Sequence, residues 1–173
     1  MRRILTLSLA STALLLVLGN LAAAQQIKRA EKLTGGNENP PVVTDATGNF
    51  RARLFADRIE YRLRYDVADS DVTQAHLHVA NPGNNGNIAA FLCSNADGAT
   101  APECPPSPGV VEGEIVAADV LEVIDVAEPV TILDAEDLDG LARLIRQGSV
   151  YANVHSVDHP AGEIRGQLSP RVR

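Results

Sequence analysis

The sequence predicts an all-β sandwich of Greek-key type that carries one short helix. Most of the chain repeats one pattern, short runs in which apolar and polar residues alternate. A period of two is the signature of half-buried strands. Clusters of Gly, Pro and Asn separate the runs, as turns require. Only Asp134 to Gln147 has the spacing of an amphipathic helix. Tryptophan is absent and there are three Phe and three Tyr, so the core must be mostly Val, Leu, Ile and Ala.

The first 24 residues stand outside this pattern. Arg2 and Arg3 precede an apolar run from Ile4 to Leu18, and Ala22-Ala23-Ala24 places small residues before Gln25. These are the parts of a secretory signal peptide, with cleavage expected near Ala24. The run is short for a membrane anchor, and no Cys follows it to accept a lipid. The expectation is a secreted or periplasmic protein of one domain, residues 25–173, with no stable membrane insertion after cleavage; an uncleaved anchor is the alternative. Of 15 basic residues, Arg2 and Arg3 leave with the leader, so 13 face 22 acidic ones, a formal charge of −9. Such a balance argues against nucleic acid and anionic membranes as partners.

In chain order, residues 25–30 read as a loose arm and Ala30 to Leu33 as a short strand. Thr34 to Pro41 is turn chemistry. Ala46 to Ala56 alternates, with Phe50, Ala52, Leu54 and Ala56 on one side. Asp57-Arg58 is a tight turn, and Ile59 to Val67 returns as the partner strand. Gln74 to Val79 follows, then an Asn-rich loop from Asn81 to Asn87, and a strand from Ile88 to Cys93. Val110 to Val116 reads as a further strand, and Leu121 to Leu133 fits no single pattern. In the helix Leu138, Leu141, Leu144 and Ile145 form the apolar stripe, Asp134 is the expected cap, and Gly148 is suited to the C-terminal turn. Cys93 and Cys104 bracket a loop of Pro, Gly and Ala. An even pair in an exported chain reads as a disulfide, and the spacing is too long for C-x-x-C.

Three of these strands share a polar face. His76 and His78 lie opposite Ala75, Leu77 and Val79. Tyr151, Asn153 and His155 lie opposite Val150, Ala152 and Val154, and Glu163, Arg165 and Gln167 lie opposite Ile164 and Leu168. In one sheet, that face gathers His76, His78, Asn153, His155, Glu163 and Arg165. Two readings stand. In one, His76, His78 and His155 hold copper or zinc, with Glu163 as a fourth or supporting ligand and His159 near enough to join. In the other, the residues are a hydrogen-bonded cluster locking strands and loops together. A hydrolase is disfavoured: Ser156 adjoins His155 but points to the opposite face, and no G-x-S-x-G elbow occurs.

The chain resembles a CHRD domain, the module named for its repeats in chordin and found in single-domain exported bacterial proteins. The likeness runs in order through Leu33-Thr34-Gly35-Gly36-Asn37-Glu38-Asn39-Pro40-Pro41, Ala46-Thr47-Gly48, Ala75-His76-Leu77-His78 and Pro82-Gly83-Asn84-Asn85-Gly86. It continues through Gly148 to His155 and Pro160 to Leu168. Asn39 stands where the family usually has Val, and Ala80 where it has Gly. The resemblance implies an immunoglobulin-like sandwich in an extracellular setting. The expected role is a non-enzymatic binding or structural module with a protein or glycan partner. The His-x-His is also similar to the copper ligands of Cu/Zn superoxide dismutase, but the zinc-loop ligands have no counterpart here.

Overall fold

The computed structural model describes residues 26–68, 70–125 and 127–170. The expected signal peptide lies outside them. Among the described residues no helix is long and apolar enough to cross a membrane. The strands are β1 (Gln26–Thr34), β2 (Thr47–Leu54), β3 (Ile59–Asp66), β4 (Val72–Val79), β5 (Asn87–Ser94), β6 (Gly109–Ile115), β7 (Val123–Asp125), β8 (Val130–Leu133), β9 (Val150–Ser156), β10 (Ile164–Gln167) and β11 (Ser169–Pro170). Helix α1 spans Leu138–Gln147.

Among the described residues the chain is mostly β with one α-helix, as expected, but its main strands form one continuous antiparallel sheet. The order is β5-β4-β9-β10-β1-β2-β3-β6, with β11 beside β1. Two separate sheets packed as an immunoglobulin-like sandwich are not what this pairing gives: the sheet curls until its two edges, β5 and β6, nearly meet. Alternation along a strand reports which residues face the core, but not whether that core is closed by a second sheet or by the first one curling.

Side chains, rather than a backbone ladder, bridge the seam. The Tyr61 hydroxyl donates to Leu92 O at 2.6 Å, and the Tyr65 hydroxyl to Pro105 O at 2.5 Å. Burial pushes both phenols up to about 12. Each ring lies over a glycine of β6, Tyr61 on Gly113 and Tyr65 on Gly109. A Cβ at Gly113 would stand 2.5 Å from the Tyr61 hydroxyl, so only glycine leaves room. The Cys93–Cys104 disulfide ties β5 to the loop that leads into β6, and Ser94 N donates to Pro102 O.

Several elements differ from the sequence expectation. The arm at residues 25–30 is largely strand: Gln26 to Ala30 pair with Leu54 to Phe50. Its sequence does not alternate cleanly because β1 is bulged between Ala30 and Leu33. The ambiguous stretch 121–133 forms a small separate hairpin, β7–β8. The helix is capped by Asp137, not Asp134: Asp137 Oδ1 accepts from Gly140 N at 2.8 Å. At its other end Gly148 adopts φ +80°, the left-handed turn that favours glycine. Leu138, Leu141, Ala142 and Ile145 turn into the core, where they join Phe50, Leu63, Leu77, Leu92 and Ile164.

Candidate functional site

The site begins with alternation on two neighbouring strands. Ala75, Leu77 and Val79 of β4 and Val150, Ala152 and Val154 of β9 enter the core. That sends His76, His78, Tyr151, Asn153 and His155 to the other face. Register sets them side by side: His76 pairs with Asn153, His78 with Tyr151, and Asn153 in turn with Arg165 of β10. The polar face expected from the sequence is assembled, and it is covered. His76 is 2% exposed, His78 8% and His155 9%. Two bulges in the β4–β5 pairing flank His76 and His78 and bring Phe91 edge-on to His76, 4.6 Å between ring centres.

The backbone fixes the tautomers. His155 Nδ1 lies 3.0 Å from Pro160 O, and His78 Nδ1 lies 2.9 Å from Gly86 O. A carbonyl only accepts, so both Nδ1 atoms carry the proton and both Nε2 atoms carry lone pairs. His76 Nδ1 stands 3.1 Å from His155 Nε2 and must therefore donate to it. This leaves His76 Nε2 as a lone pair too. His76 Nε2 and His78 Nε2 are buried and have no hydrogen-bond partner. Gly86 is required at its place, because a Cβ there would fall 1.9 Å from Val79 O.

Electrostatics keeps the rings neutral. Burial, then the neighbouring His155 and His78, pulls His76 down to about 3. Burial pulls His78 down to about 4; the bond to Gly86 opposes this, while His155 and Arg165 add to it. Burial lowers His155 as well, against the bond to Pro160. At neutral pH the cluster offers unprotonated nitrogen, the form that binds metals. One ligand atom from each of His76, His78 and His155 lies within 4.8 Å of the others. Glu163 and His159 are not in this group, although the sequence put them in reach of it. Glu163 Oε1 accepts from Thr44 at 2.7 Å, its Oε2 has no hydrogen-bond partner, and His159 lines a separate cavity with Asp45 and Asp158.

Asn153 and Arg165 belong to a second cluster beside the first. Asn153 Nδ2 donates to Glu38 Oε1 at 2.6 Å. Arg165 donates to Asn37 O, Asn84 O and Asn85 Oδ1, stands 3.9 Å from Glu38, and lies over the ring of Tyr151. Tyr151 in turn stacks on His78, with 5° between the ring planes. Burial raises the Glu38 carboxyl to about 7, against the pull of Arg165 and Asn153. In the sequence Glu38 falls within turn chemistry. Its signal was a lone carboxylate inside a Gly-Asn-Pro loop, which burial alone turns into a structural partner.

The residues that carry the family resemblance thus meet in space, with Asn37, Glu38, Asn84, Asn85, Asn153 and Arg165 in one network and His76, His78 and His155 in the adjoining one. No curated protein and no solved structure matches the chain. The family model of the CHRD domain matches residues 30–168, more than half of the sequence. The chain belongs to the CHRD domain family.

Proposed function

We propose that this domain is an exported metal-binding module that holds one copper or zinc ion at His76, His78 and His155. One observation carries the reading: two buried imidazole nitrogens, His76 Nε2 and His78 Nε2, have lone pairs and no partner. Buried polar groups are seldom left unanswered, because each costs about 1–3 kcal/mol of desolvation. A metal ion answers both at once, and imidazole suits copper and zinc. Export is supported by the leader sequence and by the Cys93–Cys104 disulfide, which favours an oxidising compartment. The test is thermal unfolding of the untagged domain with and without one equivalent of copper or zinc. An ion at about 100 times its Kd adds about 2.7 kcal/mol to stability. The shift should appear in the wild type and vanish in His76→Ala; its absence from the wild type would sink the reading.

A second reading, a module for a protein or glycan partner, rests on a cavity of about 400 Å³ under the Asn-rich loop. Asn81, Asn84, Asn87 and Ser149 supply polar walls, and Ile124 and Ile132 an apolar side. Binding of a sugar panel to the wild type, lost in Asn87→Ala, would favour it.

A further inference from the structure

We infer that the ion held here is monovalent copper, bound by Nε2 of His76 and Nε2 of His78, with His155 as a positioning residue rather than a ligand. This rests on the metal-binding reading above and sharpens it. The hydrogen bonds assign the ligand atoms. His155 Nε2 is already occupied by the proton on His76 Nδ1, and its own Nδ1 is held by Pro160 O. His76 and His78 are the two rings with free lone pairs. The chain Pro160 O, His155, His76 is a support line that fixes one ligand's tautomer and orientation, and Gly86 O does the same for the other.

The donor set then selects the charge. It is wholly neutral. Glu163 is turned to Thr44, and Cys93 and Cys104 are joined to each other. The nearest cation adds to the difficulty: Arg165 lies on Tyr151, which stacks on His78. In a buried site the cost of an uncompensated ion rises with the square of its charge, so a dication suffers about four times what a monocation does. Two neutral imidazoles with no carboxylate or thiolate to join them are poorly suited to Zn²⁺ or Cu²⁺.

The experiment is an anaerobic titration of the untagged domain with Cu⁺ kept reduced by ascorbate, against a chromophoric Cu⁺ chelator. Parallel titrations use Zn²⁺ and Cu²⁺ against their own indicators, and X-ray absorption counts the nitrogens. One Cu⁺ per chain, with two nitrogen ligands and affinity at least about 100-fold above that for either dication, is expected. His76→Ala and His78→Ala should abolish it. His155→Ala should weaken it about 10- to 100-fold while the nitrogen count stays at two, the range for a supporting group. His155→Gln, whose amide oxygen can still accept from His76, should recover most of the loss. Zn²⁺ or Cu²⁺ bound more tightly than Cu⁺ would overturn this inference and leave the metal reading standing, as would three nitrogens in the wild type. No binding of any of the three ions by a folded wild-type domain would overturn both.

Discussion

Two buried polar clusters lie side by side, meeting on β9, and they are finished differently. Around Arg165, Asn153 and Glu38 the loop carbonyls and amides answer the guanidinium and the amide, and Asn153 closes on Glu38 and Ile164 O. Around His76, His78 and His155 the backbone answers only the outward nitrogens, Nδ1 of His78 and of His155. The inward ones of His76 and His78 are left open. Equal burial with unequal satisfaction separates scaffold from site. The first cluster latches the Asn37–Pro41 and Asn81–Asn87 loops over the sheet; the second lies against the Asn81–Asn87 loop and the Pro160 turn.

That contrast is sharpened most by removing Arg165. Arg165→Met strips the latch of its donors and leaves Glu38 buried without its cation, and breaking a buried pair this way costs about 3–5 kcal/mol. The figure should fall at the low end, because Glu38 already titrates near 7 and can take a proton instead. Urea denaturation of the metal-free protein measures it.

The next effect is of pH, and the two clusters have opposite signs. In the metal-free protein His76 and His78 are held at about 3 and about 4, below the ordinary 6.5. The unfolded chain therefore binds more protons below about 6.5, and stability falls as pH drops through that window. Glu38 is held at about 7, above its ordinary 4.5, so its contribution is complete below 4.5 and is lost as pH rises to 7. Denaturation midpoints against pH should show less acid loss in His76→Leu/His78→Leu. In Glu38→Gln the loss between 4.5 and 7 should disappear. Equal profiles in wild type and both variants would contradict the assigned environments.

Smaller changes follow. Tyr61→Phe removes one seam bond and leaves Leu92 O without its donor, a loss of about 1–2 kcal/mol. His76→Leu in metal-free protein should cost only about 1 kcal/mol, since it leaves His155 Nε2 without its donor but removes the unanswered lone pair of His76 itself. A loss as large as that of Arg165→Met would make the histidines scaffold.

Much of this was legible in the sequence for a simple reason. A strand fixes side-chain direction by parity alone, so the sharing of one face by His76, His78, Asn153, His155 and Arg165 could be read from alternation. Parity does not report what lies above a face. That the histidines are buried depends on the Asn81–Asn87 loop, the Pro160 turn and the bulges of β5, which are tertiary events. The same gap explains Glu163, which shares the expected face but turns to Thr44, and Glu38, whose loop gives no hint of burial. Closure of the sheet rests on Tyr61 and Tyr65 over Gly113 and Gly109, pairs distant in sequence that no local pattern connects.

The most direct test is elemental analysis of the untagged protein purified from its native compartment, beside His76→Ala and His78→Ala prepared in the same way. The wild type should carry about one copper or zinc ion per chain and the variants none, with the fold retained in all three. A folded wild type without metal, and with no thermal shift on adding copper or zinc, would contradict the account.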